Sequence, residues 1–398
     1  MKKKTIIFIL CYISYTAIYI ARLNLSMASP VFIDMGIADA AQIGILGSVF
    51  SVVYACGRLV NGGLGDKVKP WIMICSGLGI AGISNLIIGF MPGFVGMLIL
   101  WSMNAYAQSM LWSSVLITVS TVYDVDKAKK MTSYMVTSVA TGNILGIVIN
   151  TWLIDRVGVG YAFLIPGAVT LLMSILVLLA IKDIEPVYEH KEKHASVFQL
   201  LKNREILKMI VPVIFHGAIK DNISLWMTVY FVDTFMVDLG SSAGFVLFIP
   251  IIGFIGRMAY PSFYKMCKNR EHIVSVMAFA ACGILSLVLC LNIPSAVVAV
   301  VSLSFIYALV SIINTSMLSI YPMRFTETGN VSSVSGLMDF ATYGGAGIAS
   351  AIYGITIKYF GYIPMFVSWV VISIISVLIL YKIAFSKGEK NHEKVPVA

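Results

Sequence analysis

The sequence predicts an all-α membrane protein with twelve transmembrane helices in two pseudo-symmetric six-helix bundles, and three observations carry that prediction. Of the 398 residues, 59% are hydrophobic and only 12% are charged, far from the balance of a soluble domain. The apolar residues fall into twelve runs of bilayer-spanning length. Patterns in the first six runs return in the last six.

In order, the runs are 5–34, 41–64, 70–91, 95–122, 130–153, 159–182, 206–233, 241–264, 272–292, 295–322, 331–357 and 362–385. An even number of spans puts both termini on one side of the membrane. Of 28 Lys and Arg, 22 lie in the termini and the loops after runs 2, 4, 6, 8 and 10, against 2 in the opposite loops, Arg156 and Lys358. The positive-inside rule therefore predicts a multi-pass protein of the cell membrane with both termini in the cytoplasm. It also explains the net charge of +9 without a nucleic-acid partner.

The opening Met1-Lys2-Lys3-Lys4 imitates a secretory signal. The apolar run nonetheless continues past Tyr15 and Tyr19 to Arg22 with no small-residue cleavage site, so a retained first helix is expected. The six cysteines lie in or beside apolar runs without CxxC spacing or nearby histidines. They read as small buried hydrophobes, and no metal or other cofactor is expected. The hydrophilic piece from Lys182 to Glu205 divides the chain into a bundle at 1–182, a cytoplasmic linker at 183–206, a second bundle at 207–386 and a cytoplasmic tail at 387–398. No other loop could hold a domain, and no HExxH, nucleophile elbow or close Ser-His-Asp set is visible, which argues against an enzyme.

The repeat is read from three matches. Arg22-Leu23-Asn24-Leu25-Ser26-Met27 returns 198 residues later as Lys220-Asp221-Asn222-Ile223-Ser224-Leu225. Gly57-Arg58 returns as Gly256-Arg257, each followed by a basic turn, and the spacing of Gly142 and Gly158 returns in Gly345 and Gly361. A duplicated six-helix unit with a pocket between its halves is expected.

A cation at membrane depth costs roughly 3 kcal/mol, so it normally faces a wet cavity or a counter-ion. Four such cations lie inside runs (Arg22, Arg58, Lys220 and Arg257) against two acids, Asp221 and Asp339, which favours an anionic ligand. Helical spacing puts Tyr15, Tyr19, Arg22 and Ser26 on one stripe of the first span; Ser51, Tyr54, Arg58 and Asn61 on one of the second; and His216, Lys220 and Ser224 on one of the seventh. Asn104, Gln108 and Trp112, Ser138 and Thr141, Ser311 and Asn314, and Ser332, Ser335, Asp339 and Thr342 mark further polar stripes. Interhelical hydrogen bonding is the alternative role for the Ser, Thr and Asn positions. His216, Trp112 and Trp226 are open between packing and ligand contact, and Asp339 between counter-ion and proton carrier. In Gly62-Gly63-Leu64-Gly65-Asp66-Lys67, a carboxylate at a cytoplasmic helix end could latch one conformation, with Gly62, Asp66 and Lys67 as gating residues, or could form an ordinary turn.

With its Gly-x-x-x-Asp-Lys loop and six-plus-six repeat, the chain resembles the major facilitator superfamily. It resembles more narrowly the organophosphate:phosphate antiporter family of glycerol-3-phosphate and hexose-phosphate transporters. The residues behind this are Tyr15-x-x-x-Tyr19-x-x-Arg22-x-Asn24, Tyr54-x-x-x-Arg58 with Asp66-Lys67-x-x-Pro70, and Gln108-x-Met110-x-Trp112. In the second half they are Trp226-x-x-x-Tyr230, Gly344-Gly345, Ala349-Ser350-Ala351 and Phe360-Gly361. The resemblance implies that Arg22 and Lys220 bind the anion, with Tyr15, Tyr19, Tyr54 and Arg58 around it. It further implies a bilayer-embedded protein, expected to act as a monomer, with inorganic phosphate as counter-substrate. Lys220 departs from the usual Arg, Thr141 stands where glycerol-phosphate members carry His, Pro250 stands where they carry an acid, and Arg257 is additional.

The expected function is alternating-access transport of a small organic anion, a sugar phosphate or a carboxylate, by antiport. Arg22, Lys220, Tyr15, Tyr19, Asn24, Tyr54, Arg58, Thr141, Arg257 and Asp339 are the expected binding residues. The alternatives are a proton-coupled symporter or exporter using Asp339, and a transporter-like membrane sensor.

Overall fold

Long helices account for nearly all of the computed structural model, which describes residues 2–64, 68–182, 197–326, 328 and 330–385. They are α1 (Lys2–Asp34), α2 (Ala40–Leu64), α3 (Pro70–Ile88), α4 (Gly93–Ser109), α5 (Leu111–Val122), α6 (Val125–Arg156), α7 (Tyr161–Ile181), a short α8 (Val197–Leu200), α9 (Arg204–Phe235), α10 (Leu239–Met266), α11 (Glu271–Cys290), α12 (Ala296–Asn314), α13 (Val331–Phe360) and α14 (Ile363–Ala384). Among the described residues, ten helical stretches are long and apolar enough to cross a membrane. Two further expected spans, the fourth and the seventh, complete the twelve. The fourth is divided between α4 and α5 at Met110. The seventh, α9, is lowered in hydropathy by Lys220-Asp221-Asn222 at its centre. The tenth span is also irregular, because α12 runs into a π-helical turn at Thr315–Ile320 and a 3-10 turn at Tyr321–Phe325.

Local chemistry sets the helix ends. Asp39 and Gln42 form a reciprocal capping pair at the start of α2: the Gln42 amide donates to Asp39 Oδ1 (2.8 Å) and the Asp39 amide to Gln42 Oε1 (2.9 Å). Pro70 opens α3, where its missing N–H leaves nothing unsatisfied. Asp238 precedes α10 and accepts from the Ser241 amide (3.0 Å) and hydroxyl (2.6 Å), bonds that hold its carboxyl below the usual range.

The packing divides into two compact units, Met1–Glu189 with Thr228–Leu247, and His190–Met227 with Phe248–Ala398. The α9–α10 turn thus groups with the first unit, in which the Thr228 hydroxyl approaches the Met27 thioether at 3.9 Å. Ile7, Cys11, Tyr15 and Ile18 of α1, with Ile74 and Leu78 of α3, Val115 of α5 and Val177 of α7, belong to one buried core of that unit. On α7 the outward residues Leu172, Ile175, Leu176 and Leu179 are exposed yet apolar, the surface a bilayer would cover. All six cysteines are free: Cys11, Cys267 and Cys282 are buried, Cys75 and Cys290 are half-buried, and Cys56 is exposed.

The sequence repeat has a packing counterpart. Gly57 lets α2 cross α4 against Ser109, and Gly256 lets α10 cross α12, where a β-carbon would stand 2.8 Å from Ala308 O. Gly142 brings α6 onto α1, its absent β-carbon leaving room for Thr16 O, and Gly345 brings α13 onto the Ile214 backbone of α9. Gly158 (φ +120°) and Gly361 (φ +71°) then end the same two helices in conformations that disfavour any side chain.

Candidate functional site

In the first unit, the α1 stripe lies along aromatic rings. The Arg22 guanidinium carbon is 4.7 Å from the Phe50 ring centroid, 5.0 Å from Tyr54 and 5.7 Å from Tyr19. Phe50 and Tyr54, one turn apart on α2, are near-parallel at 6.0 Å, and Trp101 backs Phe50 at 5.3 Å. The half-buried guanidinium thus sits in a cradle of aromatic rings, whose π faces attract a cation. Tyr15 joins Tyr19 (5.4 Å) to Trp112 (4.9 Å). Trp112 lies just beyond the break at Met110, so the interruption between α4 and α5 accompanies its placement on α1. Asn104 and Gln108 pair with each other at 3.1 Å, buried on α4.

The remaining first-unit candidates separate into two groups. Arg58 is half-buried one turn beyond Tyr54 on α2, and Asn61, a turn further, donates to Ser109 Oγ of α4 (2.7 Å). Thr141 meets the Tyr12 hydroxyl at 2.9 Å, and Thr137 meets the same hydroxyl at 3.1 Å. Asn24 lies apart from the Arg22 stripe. It is fully buried and donates to Asn85 Oδ1 of α3 (2.6 Å), joining two helices. Two positions along a helix is more than half a turn, so Asn24 cannot share the face of Arg22. Of the gating residues, Gly62 lies in the last turn of α2, and Asp66 and Lys67 lie outside the described residues.

In the second unit, Lys220 is held differently. Its Nζ is 3.4 Å from Oδ1 of Asp221, the next residue, and 5.2 Å from the Tyr343 ring centroid on α13. Asp339 is half-buried one turn before Tyr343. His216, one turn before Lys220 and fully buried, places Nε2 3.2 Å from Val310 O of α12. The ammonium of Lys220 and the guanidinium of Arg257 both act electrostatically on its ring. Arg257 is half-buried, and its Nε is buried without a hydrogen-bond partner. Asn222 repeats the role of Asn24: it donates to Ala218 O (2.9 Å) and Ala346 O (3.4 Å) and accepts from Ser350 Oγ (3.0 Å), tying α9 to α13.

Sequence reasoning missed Phe50, Tyr12, Tyr343 and the pairing of Asp221 with Lys220. Phe50 was detectable as the residue one turn before Tyr54, and Tyr343 as the residue one turn after Asp339. Tyr12 and Asp221 carry no spacing signal toward their partners. Among the described residues, no group of three or more His, Cys, Asp or Glu could hold a metal ion.

A family model described as Major Facilitator Superfamily matches residues 11–350. A probable hexose phosphate transport protein of Chlamydia trachomatis is 26% identical over 216 residues, which are 50% of this chain and 47% of that one. A glycerol-3-phosphate transporter of Haemophilus influenzae is 30% identical over 105 residues, 25% of this chain and 22% of that one. The membrane sensor protein UhpC of Escherichia coli is 27% identical over 103 residues, 26% of this chain and 23% of that one. The chain therefore spans about half the length, or less, of the curated relatives it matches. Among solved structures, a bacterial homolog of the lysosomal transporter Spinster superposes with a TM-score of 0.80 at 13% identity, covering 100% of this chain and 99% of that one. A D-xylose–proton symporter superposes at 0.75 and 11% identity, covering 99% of each chain.

Proposed function

Since this chain belongs to the Major Facilitator Superfamily, we propose that it is a secondary transporter that moves a small organic anion across the cell membrane by alternating access. The observation that carries this reading is the pair of intramembrane cations at equivalent repeat positions. Arg22 is cradled by Phe50, Tyr54 and Tyr19, and Lys220 is held beside Tyr343. A cation at this depth is costly and normally faces a wet cavity or a counter-ion; here Arg22 lies against π faces, and Lys220 Nζ lies 3.4 Å from Asp221 Oδ1 and 5.2 Å from the Tyr343 ring centroid.

Arg22 and Lys220 are the proposed anion-binding cations, with Tyr15, Tyr19, Tyr54, Arg58 and Arg257 as supporting groups. The partial matches to hexose-phosphate and glycerol-3-phosphate transport proteins favour a phosphate ester as cargo and inorganic phosphate as counter-substrate. A bound anionic cargo offsets buried positive charge better than the unloaded site can as the carrier reorients, which favours exchange over net flux. The termini are placed in the cytoplasm by the Lys and Arg bias alone.

Proteoliposomes loaded with phosphate test this reading. External phosphate ester should exchange without an ion gradient, and an uncoupler should leave the rate unchanged. Uptake that collapses with the uncoupler and with Asp339→Asn would establish proton-coupled transport instead. A second reading has its own support, because sensor proteins are among the partial matches. Saturable binding with no flux of any bound anion would select the sensor.

A further inference from the structure

Asp221 and Asn222 are adjacent polar residues at the same membrane depth, yet the structure treats them differently. Asn222 is fully buried and makes bonds to Ala218, Ala346 and Ser350, the satisfied state expected of a group that only joins helices. Asp221 has one oxygen 3.4 Å from Lys220 Nζ, and its other oxygen, Oδ2, is buried without a hydrogen bond. Neighbouring positions on a helix point about 100° apart, so these two side chains must lean back to meet. Their separation exceeds the 2.7–2.9 Å or so of a fitted charge-assisted bond. Both remain partly accessible, at 20% and 21%. This is a contact that a better-placed partner can replace.

We propose that Asp221 is a tethered stand-in for the cargo. Its carboxylate occupies Lys220 in the unloaded protein, and an arriving anion binds by displacing it. The inference rests on the proposed role of Lys220 in anion binding and adds a selection rule to it. An incoming monocarboxylate offers Lys220 the same group that Asp221 already supplies, so it gains little. A phosphate monoester brings up to two charges and three terminal oxygens, enough to engage Lys220 and a further donor such as Arg257, which like Lys220 acts electrostatically on His216. Asp221 is therefore a specificity-determining residue that excludes monocarboxylates by competition.

The test uses the purified full chain in lipid nanodiscs and measures binding of radiolabelled inorganic phosphate, with glucose 6-phosphate and lactate as competitors. Lys220→Gln should weaken phosphate binding by about 30-fold or more. Asp221→Asn should tighten phosphate severalfold and make lactate about tenfold more effective as a competitor. The double variant should behave like Lys220→Gln. Asp221→Ser provides a second variant if the Asn side chain does not fold. If Lys220→Gln loses phosphate while both Asp221 variants leave phosphate and lactate affinities unchanged or weaker, the stand-in role is overturned and the anion site stands. If wild type shows no saturable binding of either phosphate compound, or Lys220→Gln leaves binding intact, the anion site itself falls and the stand-in role falls with it.

Discussion

Replacing Arg22 by Lys keeps the charge and removes the planar fork and its stacking. Two ring centroids lie 4.7 and 5.0 Å from the guanidinium carbon, and the third, Tyr19, is farther at 5.7 Å. At roughly 0.5–1 kcal/mol for each close contact of a half-buried cation, the two α2 rings hold the group by about 1–2 kcal/mol. Lys retains little of this, because its ammonium is more strongly hydrated and lacks a flat face. The loss corresponds to a rise of about 5- to 30-fold in KM. Phe50→Leu removes one ring at near-constant volume and should raise KM about 2- to 5-fold. Arg22→Ala removes a charge from a desolvated pair with the cargo, a loss of about 2–5 kcal/mol, and should take transport below detection. The assay is exchange in proteoliposomes over a substrate series, with each variant's folding checked by its elution and melting temperature. Wild-type KM in both Arg22→Lys and Phe50→Leu would refute the orienting role of the rings.

Two other expectations concern stability and assembly. At the ends of α9 and α11, Arg324 bridges the buried Glu271, contacts Glu205 at 3.6 Å and lies beside the nearly inaccessible His272; Arg324→Ala should destabilise the second unit by about 3–5 kcal/mol, read as a lowered melting temperature, and adding Glu271→Gln should recover much of it. An unchanged melting temperature for Arg324→Ala would show the cluster to be dispensable. Gly345→Ala should abolish folded protein, since its β-carbon would collide with the Ile214 backbone, whereas Gly344→Ala, whose β-carbon meets nothing, should express normally; equal expression of the two would contradict the close α9–α13 crossing.

The spans and their duplication were legible because length, apolarity and glycine spacing are local properties that the bilayer constrains strongly. Helix irregularities were not. Met110 is neither Pro nor Gly, so its run reads as continuous, and the π-helical turn at Thr315–Ile320 is accompanied by a tertiary contact, Ser316 Oγ donating to Glu271 O (2.8 Å). In the site, helical spacing grouped Arg22 with Tyr19 correctly and found Tyr54 on its own α2 stripe. Asn24 entered through a motif whose spacing places it on another face, where Asn85 holds it. Phe50 was overlooked because an apolar residue in an apolar helix carries no compositional signal, although its ring is the one nearest to Arg22. The Lys220–Asp221 contact was hidden for the opposite reason: adjacent helix positions normally diverge, and only the folded side chains show that these two meet.

The central claim, that Arg22 and Lys220 each take part in binding an anionic cargo, is tested most directly by counterflow. Wild type, Arg22→Ala and Lys220→Ala proteins, each reconstituted and folded, are compared over phosphate esters, inorganic phosphate and carboxylates. The account predicts counterflow of at least one phosphate ester by wild type and none by either variant. Undiminished counterflow by both variants would contradict it.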